Sequence, residues 1–156
     1  MRRILISNLT AWNVAPDQGI LIAGLPGHPV EDLTLTNILI GFAGGGTREQ
    51  GAREMPELEK DYPEPMRFGT LTAWAVWARH VKNLALAHVE FRFAKDDLRP
   101  AVILDDVAGA DLDHAKLPHT AGTASLGLKN VTGLAIHNSP GLPETNQMEK
   151  IANEKL

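Results

Sequence analysis

A short repeat constrains the fold of this chain more than any other feature of its sequence. Each copy begins with a valine, continues with alternating apolar residues and ends seven positions later at an asparagine or a histidine. Val131 follows Val107 by 24 residues, and Val107 follows Val81 by 26. Val81 follows Val30 by 51 residues, which is about one period plus an insertion. A period of this length with alternation inside each copy is typical of β-solenoids.

Superposition of the copies predicts which residues stack on neighbouring strands. Equivalent positions of a solenoid lie about 4.8 Å apart on successive turns. The aliphatic positions are expected to form interior stacks. These stacks are Val30, Val81, Val107 and Val131; Leu33, Leu84, Ala110 and Leu134; Leu35, Leu86, Leu112 and Ile136; Val76, Val102 and Leu126; and Ala78, Leu104 and Leu128. The polar seventh position predicts a further stack at a bend, where side-chain hydrogen bonds stabilise the turn; it contains Asn37, His88, His114 and Asn138.

The repeat predicts an all-β protein that forms one domain over residues 1–156. We expect about five turns of a β-solenoid, with the first turn entered midway, because residues 2–12 match only the second half of a repeat. Residues 41–70 contain glycines and prolines without alternation, so we predict a loop excursion there with a helical turn near residues 57–60. Residues 140–156 are predicted to form a short amphipathic helix that caps the open end.

The composition excludes several classes of function. The 15 basic and 19 acidic residues give a formal charge of −4 without a basic stripe, so we expect no nucleic-acid partner. The absence of cysteine excludes disulfides and zinc–thiolate sites. No apolar run reaches the roughly 18 residues of a membrane helix, so we expect no membrane partner. Ser7 and Asn8 interrupt the first apolar run, which predicts no export signal in this chain and leaves its localisation open.

The positions just before the repeat valines hold the densest group of acid–base residues. Arg79, Asp105 and Lys129 alternate in charge along one predicted stack, and His80 lies over Asp106 in the next. Opposite charges on adjacent strands contribute about 0.2–1 kcal/mol per pair, so this group is interpretable as a structural charge ladder. It also combines carboxylate, imidazole and guanidinium groups at one corner. The candidate catalytic residues are therefore Asp105, Asp106, His80 and Arg79.

Five separate stretches of the sequence together resemble one known protein family. They are residues 56–66 (PELEKDYPEPM), 68–69 (FG), 78–82 (ARHVK), 97–101 (DLRPA) and 104–107 (LDDV). In this order they resemble the C-terminal part of bacterial polygalacturonase-like proteins, glycoside hydrolase family 28, over nearly all of the chain. The resemblance implies a right-handed parallel β-helix with a galacturonide-binding groove. Full-length relatives are expected to be exported.

The catalytic motifs of that family are mostly missing. Its Asn-Thr-Asp, Gly-His-Gly and Arg-Ile-Lys motifs do not occur, and the Asp105-Asp106 pair lies in the later repeats. Consecutive strand residues point to opposite faces, whereas an inverting glycosidase holds two carboxyl groups about 6.5–9.5 Å apart around a water molecule. We therefore expect a truncated relative without polygalacturonase activity, which binds a galacturonide or has a structural role. The candidate substrate-binding residues are Lys129, Trp77 as a stacking platform or oligomer contact, and Tyr62 in the excursion.

Two further interpretations remain open. Asp111, Asp113 and His114 follow the aspartate pair and are candidate ligands of Ca²⁺, which would polarise the carbonyl of a small ester or of a lactone such as an N-acyl-homoserine lactone. The spacing is not that of an EF-hand, and a solvated turn explains the same residues. The third interpretation is a structural module, for which we expect a homo-oligomer that covers the open strand edge and apolar interior.

Overall fold

A computed structural model of the chain describes residues 1–61 and 64–156. The described residues form eight strands and two short helices. In chain order these are β1 (Arg2–Val14), β2 (Ile20–Ala23), β3 (Val30–Gly44), α1 (Arg48–Ala52), α2 (Pro65–Phe68), β4 (Val76–Lys95), β5 (Val102–Asp113), β6 (Leu126–His137), β7 (Thr145–Gln147) and β8 (Ile151–Lys155). Within the described ranges, neither helix has the length and apolar character needed to span a membrane.

The strands form one mixed and mostly parallel sheet, so the prediction of an all-β protein is confirmed. Its order is β1-β3-β4-β5-β6, and each neighbouring pair along this path is parallel. β2 pairs with β4 in parallel, whereas β7 and β8 pair with β6 in antiparallel fashion. Parallel strands cannot be joined by a two-residue hairpin, and the connections here are residues 96–101 between β4 and β5 and residues 114–125 between β5 and β6.

The register of the parallel strands is the one that the repeat predicted. Val30 pairs with Val81, Val81 with Val107, and Val107 with Val131. The other predicted stacks pair in the same way, for example Leu35, Leu86, Leu112 and Ile136. Their side chains are almost fully buried and belong to one apolar cluster. The stabilisation therefore comes from apolar stacks that run across the strands.

The strands bend at polar residues with a left-handed backbone. Asn8, Asn37, His88, His114 and Asn138 have φ angles between 50° and 58°. Asparagine and histidine adopt this conformation more readily than most other L-residues. The side chains also interact along the stack, since Asn37 Nδ2 donates to Asn8 Oδ1 at 2.6 Å. The predicted polar stack at a bend is therefore confirmed.

A buried ion pair fastens the excursion between β3 and β4. Asp97 and Arg99 are buried, and Arg99 Nη2 lies 2.7 Å from Asp97 Oδ2. Gly46 N donates to the same carboxylate at 2.8 Å, and Arg99 Nη1 donates to the Leu71 carbonyl at 3.0 Å. Both ends of the excursion are thus attached to one site. A Cβ atom at Gly46 would overlap the Arg99 guanidinium, so this close approach requires glycine.

The excursion differs from the prediction in detail. β3 extends through Gly44, so the segment outside the strands begins later than residue 41. The helical turns lie at α1 and α2 rather than near residues 57–60. Thr47 and Gln50 form a capping box that starts α1, and Pro65 occupies the first turn of α2. These start signals explain why the helices form there.

The prediction of a C-terminal helix is wrong. The tail forms β7 and β8, which pair with the last parallel strand, and Ile151 lies opposite Val131. Ile151 is buried in the main cluster. An amphipathic segment beside an open strand edge satisfies its own and the edge's backbone groups by pairing, which a helix would not do.

The opposite end of the sheet is open. Among the described residues, β1 pairs with β3 on one side. Several of its large apolar side chains are exposed, with Leu5 at 67% and Trp12 at 54% relative accessibility. β1 therefore presents both unpaired backbone groups and apolar surface to the solvent.

Candidate functional site

Three parallel strands place the predicted charge ladder in one row. Arg79 on β4 pairs with Asp105 on β5, which pairs with Lys129 on β6. Arg79 Nε donates to Asp105 Oδ2 at 2.9 Å, and Lys129 Nζ lies 3.4 Å from the same oxygen. Arg79 and Asp105 are nearly buried, whereas the Lys129 side chain is 58% exposed. The alternation of charge along the row is confirmed.

A second ion pair lies beside this row. His80 Nδ1 is 2.7 Å from Asp106 Oδ2. Both residues have left-handed backbone conformations, with φ of 52° and 56°. His80 and Asp106 line a depression that does not include Arg79 or Asp105. The four candidate catalytic residues therefore form two adjacent ion pairs on neighbouring strands.

Glu57 of the excursion joins the two pairs. Its Oε1 accepts a hydrogen bond from Arg79 Nη1 at 3.0 Å, and its Oε2 lies 3.0 Å from His80 Nε2. Arg79 Nη1 also donates to the Met55 carbonyl at 3.1 Å. Glu57 is not among the site residues predicted from the sequence, although it lies in the first stretch of the family resemblance. Its role depends on the excursion folding back onto β4, which no local pattern shows.

The two carboxylates control the charge of His80. Burial lowers the pKa of the imidazole, but the hydrogen bonds to Asp106 and Glu57 outweigh burial and raise the pKa above its ordinary value of 6.5. The protonated ring donates from both nitrogens. A general base needs an unprotonated atom within hydrogen-bond reach of the substrate proton. In this geometry both ring nitrogens of His80 are engaged by carboxylates.

The row of charges forms part of a cleft with a volume of about 300 Å³. The cleft lies on the outer face of β4–β6, between the excursion and β8, and its floor includes Trp77, Ile103 and Gly127. Among the described residues, four basic and three acidic side chains line the cleft. They are Arg53, Arg79, Lys129 and Lys155, and Glu54, Asp105 and Glu154. The local charge is thus positive in a chain of negative net charge.

The predicted substrate-binding residues do not all lie in the cleft in the way that the sequence suggested. Lys129 lines the cleft. Trp77 is only 1% exposed, because Met55 and Phe68 of the excursion pack with it in a second apolar cluster. The Arg79 guanidinium also lies 4.7 Å from its ring centroid. The prediction of an exposed stacking platform or oligomer contact at Trp77 is therefore wrong, and Tyr62 lies outside the described residues.

The predicted Ca²⁺ ligands are not brought together as a set of three. Asp113 and His114 are neighbours, with His114 Nδ1 2.9 Å from Asp113 Oδ1. Asp111 instead lines a separate depression with Asp32. The third residue of the cluster is His88, which stacks on His114 in the repeat. Hydrogen bonds from Asn138 and His114 lower the pKa of Asp113 below its ordinary value.

Comparison of the chain with protein-family models, with curated proteins and with solved structures finds no match.

Proposed function

We propose that this chain is a right-handed parallel β-helix, a relative of glycoside hydrolase family 28 that binds a galacturonide and does not hydrolyse it. The β-helix interpretation is supported by parallel pairing in the register of the repeat and by bends at equivalent positions. The family assignment rests on the five sequence stretches described above. Three of these stretches contribute residues to the cleft, namely Arg79, Pro100 and Asp105.

The observation that carries the proposal is the charge of the cleft. A galacturonide is a ring of hydroxyl groups with one carboxylate on each sugar, so it needs cations and hydrogen-bonding groups above a surface for the ring. Lys129 and Lys155 supply cations at the rim, and Ile103 supplies apolar surface on the floor. Lys129 is the best-placed ligand, because its ammonium group is exposed while Asp105 fixes its position.

The same contacts argue against hydrolysis. A general acid must carry a proton that it can deliver to the leaving group, and a general base must be free to accept one. The Asp105 carboxylate is paired with Arg79 and Lys129, and the ring nitrogens of His80 contact Asp106 and Glu57. The four candidate catalytic residues therefore stabilise each other and fasten the excursion to β4.

Calorimetric titration of the full chain with trigalacturonate tests the proposal, with neutral galactotriose as the comparison ligand. We expect saturable binding of the acidic trisaccharide alone, and binding that weakens as salt is added. Lys129→Gln should weaken binding about fivefold, since an exposed ion pair contributes up to about 1 kcal/mol. The matched control is Lys82→Gln, which removes an exposed lysine that does not line the cleft.

The absence of saturable binding, or equal binding of the neutral sugar, would contradict the proposal. The alternative function, a metal-dependent hydrolase, is tested by incubating the same protein with a panel of small esters and lactones. Turnover that EDTA abolishes and Ca²⁺ restores would favour a metal-dependent hydrolase instead. Cleavage of trigalacturonate itself would show that the parent activity is retained.

A further inference from the structure

We propose that His88, Asp113 and His114 form a binding site for a divalent transition-metal ion of the Zn²⁺ class. One donor atom from each residue lies within 4.8 Å of the other two. The two imidazole rings are stacked, with centroids 4.6 Å apart and planes inclined by 6°. The cluster shares none of its residues with the cleft or with the ion pairs around Glu57. It is therefore independent of the proposed galacturonide site.

The fold places these donors on a rigid part of the backbone. His88 on β4 and His114, which immediately follows β5, occupy the same bend position, with φ of 53° and 51°. The residues before them are paired, since Leu86 lies opposite Leu112 and Ala87 opposite Asp113. Leu86 and Leu112 are fully buried, so the strands cannot slide relative to each other without disrupting the core. A site on such elements is more precisely held than one on a loop.

The types of donor select the class of ion. Two imidazoles and one carboxylate suit Zn²⁺ and neighbouring transition metals, whereas Ca²⁺ takes six to eight oxygen ligands. The cluster of His88, Asp113 and His114 therefore does not support the Ca²⁺ site that was expected from Asp111, Asp113 and His114. Three protein ligands around a four-coordinate ion would leave one position for water or for a ligand of the ion.

The cluster also has room to adjust and a group that orients it. Ligand atoms about 2.0–2.1 Å from a common ion lie closer together than 4.8 Å, so the side chains must draw in slightly. His88 and His114 are exposed, which allows this change of rotamer. Asn138 Nδ2 donates to Asp113 Oδ1 at 3.0 Å and so directs the carboxylate. Such outer contacts commonly orient metal ligands.

Zinc titration of the untagged full chain, in competition with a chromophoric chelator, tests this inference. We expect saturable binding of one Zn²⁺ per chain. His88→Asn and His114→Asn should each weaken binding at least about tenfold. Asparagine is the appropriate replacement because Asn37 and Asn138 occupy the same bend position. The matched control is His28→Asn, which changes an exposed histidine outside the cluster and should leave the affinity unchanged.

A second substitution keeps the test informative if a histidine variant fails to fold. Asp113→Asn preserves the shape of the side chain and should also weaken Zn²⁺ binding about tenfold or more, with an unchanged circular dichroism spectrum. Wild-type protein without saturable Zn²⁺ binding would overturn the proposal. So would binding that is insensitive to His88→Asn and His114→Asn, or complete displacement of Zn²⁺ by equimolar Ca²⁺.

Discussion

The substitution Asp97→Asn should destabilise this protein more than any other loss of a single charge that we consider. Asp97 is 0% exposed, and its carboxylate accepts hydrogen bonds from Arg99 N, Nε and Nη2 and from Gly46 N, at 2.7–3.0 Å. Asparagine keeps the shape but removes the charge, and its amide group supplies one oxygen where the carboxylate supplied two. The buried Arg99 guanidinium would then lack its counter-ion.

The size of the expected loss of stability follows from the burial of the Asp97–Arg99 ion pair. Breaking a buried ion pair by removing one partner costs about 3–5 kcal/mol, because an uncompensated charge stays in the interior. The free energy of unfolding of a domain is about 5–15 kcal/mol, so this loss is a large part of the total. With a urea slope of about 2 kcal/mol/M, the midpoint of unfolding should fall by about 2 M.

Urea unfolding followed by circular dichroism measures this midpoint, and Asp96→Asn is the matched control. Asp96 is the exposed neighbour of Asp97, and its substitution makes the same change of charge. Since Asp97 contacts Gly46 and Arg99 contacts Leu71, the excursion should also become more sensitive to protease in Asp97→Asn. A midpoint shift no larger than that of Asp96→Asn would refute the assignment of this pair as the anchor of the excursion.

The pH dependence of stability offers a second check on the same residue. Burial raises the pKa of Asp97, but its hydrogen bonds from Arg99 and Gly46 outweigh burial and hold the pKa below the ordinary value of 3.8. The stabilisation is therefore complete above that ordinary value and is lost as the pH falls through the lowered pKa of the folded state. The stability of Asp97→Asn should therefore fall less steeply at acid pH than that of the wild type.

Two other predictions concern His80 and the open edge. The folded-state pKa of His80 is raised above 6.5, so the stabilisation that His80 contributes is complete below about pH 6.5 and is lost as the pH rises through the raised pKa. The urea midpoint of His80→Asn should therefore depend less on pH between pH 6 and pH 9 than that of the wild type. An unchanged pH dependence would contradict the role given to Asp106 and Glu57. The exposed apolar residues of β1 lead us to expect a homo-oligomer at tens of micromolar by light scattering, which Leu9→Lys should weaken. A monodisperse wild-type monomer would contradict this expectation.

The strands and their register were predictable because repetition and alternation act together. Alternation alone does not fix the register of a strand, but the recurrence of Val81, Val107 and Val131 shows which positions must coincide. A shift by one residue would place each leucine of the stacks on the solvent face. The interior stacks of this fold are therefore readable from one sequence.

The tail and the excursion were less predictable because their structure depends on distant partners. The apolar spacing of Leu142, Met148 and Ile151 is compatible with a helix, and only the free edge of β6 favours pairing. Glu57 reaches Arg79 and His80 because Asp97 and Arg99 hold the excursion against the sheet. Neither contact has a local sequence signal.

The candidate metal site illustrates a different reason for error. Asp111, Asp113 and His114 are close in sequence, and this closeness alone favours them as a set of ligands. The repeat already placed His88 beside His114, and that relation between strands was the better guide to proximity. In a protein with stacked repeats, a ligand set is better sought across equivalent positions than along one segment.

The left-handed bends also limit the chemistry that this surface can acquire. Thirteen described residues other than glycine have positive φ, and they include six asparagines, three histidines and two aspartates. These are among the few side chains that tolerate such a backbone, and each of them is also a hydrogen-bonding group or a metal ligand. Exchange among Asn, Asp and His at a bend should therefore leave the backbone in place while it changes what the surface binds. New ligand sites are accessible to such a chain by single substitutions at positions where the fold already requires a polar residue.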